Sequence, residues 1–251
     1  MQKITAIIPT GNEEHNIVDA IKSIDFCDEI MIVDSFSSDK TVELAKPLAD
    51  TILQRKFEYP ASQKNWAIPQ AKYKWILLLD ADERVTQKLK KEIIEILNSN
   101  IVCSGFWIMR ENYFMGKKVM FSGWQRDKVI RLFKRDECKY ENKHVHEEII
   151  NNGNIGFLRN NLIHNTFKSK KAYLQKLEKY ARWQAKDYDK KVEQITLYHL
   201  GLKPLFRFLK HYIYQLGFLD GTVGFIIASY QAKAVKMRYQ FLKEYRDAKK
   251  D

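Results

Sequence analysis

Asp80-Ala81-Asp82-Glu83 sets three carboxylates within four residues, directly after the apolar run Trp75-Ile76-Leu77-Leu78-Leu79. In extended backbone, residues two apart project to the same side, so Asp80 and Asp82 are expected to face one way. Carboxylates so close repel unless positive charge lies between them. Hard oxygen ligands suit Mg2+ or Mn2+, ions that often carry a phosphate. The competing reading is a solvated acidic turn that caps the next helix.

The segments that would position these acids alternate in type. Residues 4–8 form a β-branched run closed by Pro9, and Asn12 is expected to open a helix with Ile17, Ala20, Ile21 and Ile24 on one face. Residues 30–33 predict a second strand ending in Asp34, with Ser38 or Asp39 capping the helix after it. Residues 51–53 read as a short strand and 62–71 as a helical segment ended or kinked by Pro69. The apolar run 75–79 reads as a strand buried on both faces, and Thr86 caps a helix carrying Leu89, Ile93, Ile94, Ile96 and Leu97. Strand alternating with helix in this way predicts a mostly parallel α/β sheet flanked by helices. Such sheets bind ligands beyond the carboxyl ends of their strands, where the polar clusters 9–14, 34–39 and 80–83 all fall. That convergence favours the cation reading of Asp80 and Asp82.

The remaining chain differs in texture. Residues 104–109 and 129–133 predict strands on either side of a Gly-, Asn- and aromatic-rich loop over 111–123, and Ser169 opens a helix from about 170 to 190. Charge is unevenly distributed: residues 1–100 carry 13 Lys/Arg against 16 Asp/Glu, residues 101–251 carry 30 against 15, and the net charge is +12. A basic back half is suited to an anionic partner. From 197 onward Leu205, Phe206, Phe208, Leu209, Tyr212, Ile213 and Leu216 interleave with Lys203, Arg207, Lys210 and His211. The longest uncharged stretch of this tail, residues 221–232, is far short of the ~20 residues that span a bilayer. The pattern fits helices lying on an anionic membrane surface, or a helical pair packed on the domain or on a second copy of the chain. Cys27, Cys103 and Cys138 form no CxxC or Cys/His cluster, consistent with a reducing compartment. No secretory leader is read at the start. The division expected is 1–167 as a catalytic-type α/β domain and 168–251 as a basic helical appendage.

Taken together, the motifs resemble a known family. Ile7-Ile8-Pro9-Thr10-Gly11-Asn12-Glu13-Glu14, Val33-Asp34-Ser35-Phe36-Ser37-Ser38-Asp39 and Leu79-Asp80-Ala81-Asp82-Glu83 resemble, in order and spacing, the family 2 inverting glycosyltransferases of GT-A fold. Lys64-Asn65-Trp66-Ala67, Val129-Ile130-Arg131-Leu132-Phe133, Val145-His146-Glu147 and Leu162-Ile163-His164 are similar to the bacterial lipopolysaccharide-core β-1,4-glucosyltransferases among them. The resemblance implies that Pro9, Thr10, Asn12 and Glu13 line the nucleotide, that Asp34 accepts from the base edge, and that Lys64 meets base or pyrophosphate. It implies Mn2+ or Mg2+ on Asp80 and Asp82, with Asp80 also near the ribose and His164 as a third ligand. Glu147 takes the position of the general base, while Trp124 and Arg131 are implied contacts for acceptor and donor sugar. Glu83 is left as first-turn helix charge or as an acid behind the metal ligands. One departure stands out: relatives read Asp-Ser-Gly-Ser-x-Asp after the second strand, and this chain has Phe36 at the glycine. Phenylalanine resists φ > 0, so a differently built turn is expected.

The activity so implied is metal-dependent, inverting hexose transfer from a nucleotide sugar, UDP-glucose or a similar UDP-hexose, to a lipid-linked saccharide such as lipopolysaccharide core. The expected location is cytoplasmic, on the inner face of the plasma membrane, with no nucleic-acid partner and an oligomer contact through the C-terminal helices as a further option. A nucleotidyltransferase also uses paired acids and metal on an α/β sheet, and a basic nucleic-acid-binding protein would suit the charge.

Overall fold

The computed structural model describes residues 2–142, 148–151, 153–167 and 169–249, so Glu147 lies outside the described residues. The chain forms two compact units, one of Met1–Glu111 and Asp127–His164, the other of Asn112–Arg126 and Asn165–Asp251.

The first unit is built on a mixed sheet. β1 (Ile4–Thr10) lies between β2 (Glu29–Asp34) and β4 (Trp75–Leu78), and β3 (Thr51–Gln54) extends the sheet beyond β2, all parallel. Short helices α1 (Ile17–Lys22), α2 (Thr41–Ala45) and α3 (Pro60–Ala67) make the crossovers. After β4 come β5 (Glu83–Val85) and α4 (Gln87–Leu97), whose N-cap Thr86 accepts from the Leu89 amide at 3.1 Å as its position in the sequence implies. β6 (Gly105–Phe114) leads through a two-residue strand β7 (Lys117–Lys118) to β8 (Lys128–Lys134), which pairs antiparallel with both β4 and β6. A separate hairpin joins β9 (Cys138–Tyr140) to β10 (Ile149–Asn151); β11 (Ile155–Phe157) pairs parallel with β6, and β12 (Leu162–Phe167) starts antiparallel to β5.

Alternation in the strands sorts the core onto two faces. Ile4, Ala6, Ile8, Ile32, Trp75 and Leu77 pack with Ile17 and Ile21 of α1 and Leu89, Ile93 and Leu97 of α4. Ile7, Met31, Val33, Ile76 and Leu78 pack with Ala61 and Ala67 of α3. Both faces being covered explains why these strands read as continuous apolar runs.

Two local expectations need correction. β1 does not stop at Pro9. The Leu79 amide donates to the Ile7 carbonyl on one side, and the Ser35 amide to the Thr10 carbonyl on the other. Alternation therefore turns the nitrogen of Pro9 toward the β4 side, past the last paired residue of β4, where no donor is needed. Asn12 does not open α1 either. It takes a left-handed conformation (φ 58°) and its side chain accepts from the Ser38 amide at 2.8 Å, so α1 begins only at Ile17. The amide of Asn12 donates to Ser37, that of Glu13 to Thr41 and that of Glu14 to Asp39, so the loops after β1 and β2 are fastened to each other.

The second unit is helical. α5 (Lys170–Tyr188), α6 (Lys203–Leu209) and α7 (Gly221–Asp247) are joined by π-helical turns at Tyr198–Leu202 and Lys210–Tyr214 and by a 3-10 turn at Gly217–Asp220. Phe114, Val119, Tyr173, Val223 and Ile227 form one core, and Ala185, Val192, Val235, Tyr239 and Leu242 a second. Residues 112–126, which the sequence places with the first domain, belong here. The Asp220 carboxylate accepts from the amides of Met120 (2.9 Å) and Phe121 (3.0 Å) and from the Ser122 hydroxyl (2.7 Å). Glycine is required at 224, where a Cβ would lie 1.8 Å from the Gly217 carbonyl oxygen. Replacing Asp220 by Ala is expected to strand two backbone amides and lower stability by ~3 kcal/mol, read as a lower urea midpoint at unchanged m-value.

Candidate active site

Asp80 and Asp82 occupy the turn between β4 and β5, at the carboxyl end of the most buried strand. What surrounds them is a chain of charges. The Asp80 carboxylate accepts a hydrogen bond from the Arg131 guanidinium, which donates from the middle of β8 and also reaches Glu83 at 2.8 Å. Glu83 is fully buried and accepts in addition from Arg110 at 3.2 Å, while Arg110 forks onto Asp127 at 2.7 and 3.0 Å. The carboxylate of Glu83 also takes the Asp80 amide at 3.1 Å, so one buried acid holds both the backbone and the ion partner of Asp80. Glu83 is thus not first-turn helix charge, because it lies on β5 and α4 starts only at Gln87.

Burial alone would raise the Asp80 carboxyl, but Arg131, with Lys64, Arg110 and His164 beyond it, outweighs burial and holds it well below the usual carboxylate range. Arg131 responds in the opposite sense: desolvation disfavours its charge, and Asp80 and Glu83 more than restore it, leaving it firmly protonated.

Asp82 points to a different partner, with its Oδ2 3.5 Å from His164 Nε2. Among the described residues no three His, Cys, Asp or Glu side chains gather closely enough to hold a metal unaided. The donor set still fits a divalent ion that arrives with a diphosphate. Two carboxylates and an imidazole leave half of an octahedral shell to phosphate oxygens and water, and Mg2+ usually keeps such ligands.

A cavity of about 370 Å³ opens beside Asp80. Lys64, Arg110, Lys128 and Arg131 line it, with Trp107, Tyr140 and Glu148. Lys64 is buried on α3, its Nζ 4.7 Å from the centroid of the Tyr140 ring. Of the four cations, Arg131 is matched by Asp80 and Glu83 and Arg110 by Glu83 and Asp127, which leaves the two lysines as the cations that those acids do not engage.

The structure brings Lys64, Asp80 and Arg131 to one cavity and Asp82 to His164. Pro9, Thr10, Asn12, Glu13 and Asp34 form a neighbouring group at the ends of β1 and β2. Asp34 is fully buried; its carboxylate accepts from the Ser37 amide (3.0 Å), the Ser37 hydroxyl and Gln54 (3.2 Å). Phe36 takes φ 59° with its ring largely exposed, so the left-handed turn is kept despite the missing glycine, against expectation. Trp124 belongs to the second unit, where it packs edge-on against Phe114 at 6.3 Å. The residue following Glu147, Glu148, lines the cavity. Sequence reasoning missed Arg110, Trp107 and Lys128. A charged residue inside an apolar strand, as in Val129-Ile130-Arg131-Leu132-Phe133, does signal a buried counter-charge, but it does not say which acid supplies it. Glu83→Gln is expected to leave Arg131 and Arg110 undercompensated and to cost ~3 kcal/mol of stability, measured by urea denaturation.

Residues 5–180 match the family described as Glycosyl transferase family 2. Over 250 residues the chain is 28% identical to the lipopolysaccharide core biosynthesis glycosyltransferase LpsC of Rhizobium meliloti, covering 94% of this chain and 93% of that protein. An uncharacterized glycosyltransferase of Rickettsia typhi is 27% identical over 265 residues, covering 97% and 88% of the two chains. Among solved structures, Staphylococcus aureus TarS 1–349 aligns with 98% of this chain and 92% of its own at 14% identity, with a TM-score of 0.47. The family match takes in every residue that lines the cavity, together with Asp82, Glu83 and His164. With its mixed, mostly parallel sheet flanked by helices, the chain belongs to glycosyl transferase family 2 and is a glycosyltransferase.

Proposed function

We propose that this glycosyltransferase moves a hexose, with inversion, from a UDP-sugar such as UDP-glucose to a lipid-linked saccharide of the lipopolysaccharide-core kind. The observation that carries the reading is Asp80 and Asp82 at the end of β4, beside a cation-lined cavity and two fastened strand-end loops. The name of the 28% identical relative supports the class of acceptor.

In this reading the loops after β1 and β2, with Pro9, Thr10, Asn12, Glu13 and Asp34, hold the nucleoside. Lys64 faces the diphosphate, and Arg131, bonded to Asp80 and Glu83, adds its positive charge from behind Asp80. Asp82 and His164, with Asp80, would hold Mn2+ or Mg2+. When bound, the ion supplies positive charge for the departing diphosphate. The acceptor hydroxyl attacks the anomeric carbon opposite the leaving group, the bond from carbon to phosphate oxygen breaks, and the hydroxyl proton passes to a general base, Glu147. Placement of Glu148 on the cavity wall supports a base from this stretch. Trp124 as an acceptor contact has less support, since its ring is used in packing on Phe114.

The helical unit supports attachment to an anionic membrane surface. Among the described residues, 12 of the 21 exposed large apolar side chains lie between 197 and 225, including Leu205, Phe206, Leu209, Ile213 and Phe218. Lys203, Arg207 and Lys210 are interleaved with them. Among the described residues no helix is long and apolar enough to cross a membrane. Surface-bound helices of this composition combine apolar burial with attraction to acidic lipid.

Four measurements test these readings. In thermal-shift assays a UDP-hexose should stabilise the protein more with Mn2+ than without, and Asp82→Ala should remove the metal-dependent part. Glu147→Gln should keep donor binding and lower turnover by ~10²–10⁴-fold. Pyrophosphate release in place of UDP would sink sugar transfer, and full turnover by Asp82→Ala would sink the metal assignment. Separately, replacing Leu205 and Phe206 by Asp should weaken co-sedimentation with phosphatidylglycerol vesicles by on the order of tenfold or more. Equal binding of the unaltered protein to neutral vesicles would count against the anionic surface.

A further inference from the structure

One wall of the cavity has chemistry that the donor does not need. Phe157 on β11 stands opposite Trp107 on β6, and their rings stack at 6.3 Å with an interplanar angle of 28°. Lys128, at the start of β8, lies diagonally across the same ladder, since Trp107 pairs with Ile130. Its Nζ sits 4.6 Å from the Trp107 centroid and 4.9 Å from that of Phe157. Three strands therefore converge to place one ammonium over two rings. Trp107 and Lys128 both line the cavity that contains Asp80, and Phe157 is 58% exposed.

The charges around this shelf are not equivalent. Arg131 is taken up by Asp80 and Glu83, and Arg110 by Glu83 and Asp127. Among the described residues Lys128 has no carboxylate partner and rests on aromatic faces alone. A lysine over ring faces is held by the ring quadrupole, which positions the ammonium without neutralising it. The exposed Phe157 ring, with the half-buried Trp107 beside it, offers a π-face to the polarised C–H groups of a pyranose, because that face carries the negative end of the quadrupole. A ring-binding surface with a fixed cation at its edge selects a sugar that carries an anionic group.

We propose that Trp107, Phe157 and Lys128 form an acceptor subsite for a saccharide bearing a negative charge, either a phosphate ester or a carboxylate. The rings hold the sugar face and Lys128 takes the anion. This rests on the reading of the Asp80 cavity as the place of transfer, but ring and anion recognition can be measured without the donor.

Saturation-transfer NMR on the full chain with glucose 6-phosphate, glucuronate and glucose as probes supplies that measurement. Both anionic sugars should bind more tightly than glucose; binding of the phosphate ester alone would narrow the ligand to phosphorylated sugars. Lys128→Ala should weaken the anionic probes about tenfold and leave glucose unchanged. Lys128→Glu should invert the order. Trp107→Leu and Phe157→Leu should weaken all three. Lys128 is exposed at a strand start, so its variants are expected to fold, which an unchanged melting temperature of the free protein checks. Equal binding of all three probes, or anion binding indifferent to both Lys128 and Trp107, overturns the subsite while leaving the donor reading intact. Loss of the donor shift in the unaltered protein, with the probe preferences retained, overturns the donor reading while leaving the subsite intact.

Discussion

The buried Glu83 carboxylate is the constraint on which the candidate site depends. A fully buried acid survives only if its charge is matched, and here Arg131 and Arg110 supply the match from two different strands. Both arginines come from the antiparallel half of the sheet, whereas Asp80 comes from the parallel half. The pairing of β4 with β8, Leu77 opposite Leu132, is what brings Arg131 level with the end of β4. Electrostatic neutrality in the interior and strand register therefore specify each other. A slip of one residue would put Arg131 on the opposite face of the sheet, leaving Asp80 without its ion partner and Glu83 with Arg110 alone.

The same neutrality divides the two aspartates. Asp80 is committed to Arg131 and sits at the cavity, while Asp82 is turned to His164. Their spacing of two residues suggested one shared direction, and that would hold in an extended strand. The turn that ends β4 at Leu78, with the Glu83 amide donating to the Asp80 carbonyl, breaks the alternation before Asp82 is reached. The acids end up close in sequence yet with different partners.

What could be read from the sequence follows from which forces are local. The buried strands 4–8, 30–33 and 75–79, the Thr86 cap and the helix beginning after Ser169 were legible because hydrophobic periodicity and capping act over a few residues. Asp80, Lys64 and Arg131 were legible as a group only through the resemblance. Glu83 stays open in the sequence between helix-start charge and an acid behind Asp80, and only the long-range approach of two arginines decides for the buried acid. Residues 112–126 were assigned by proximity in sequence, although Asp220, about a hundred positions later, captures their amides. Lys128 and Phe157 gave no local signal, since their meeting depends on the order of β11, β6 and β8.

Phe36 shows how far such non-local bonds can override a residue's own preference. A left-handed backbone costs a non-glycine residue roughly 1–2 kcal/mol, which an isolated turn would escape by changing shape. This turn has no such freedom. Asp34 binds Ser37 by both amide and hydroxyl, Ser37 receives the Asn12 amide, and the Asn12 side chain accepts from Ser38. Each of these bonds fixes a neighbour of Phe36, and none uses Phe36 itself. The strain is thus offset by contacts that would be lost together if the turn relaxed, and the loop keeps the conformation that glycine would take freely. What the loop presents at this position is an exposed aromatic ring on a left-handed backbone.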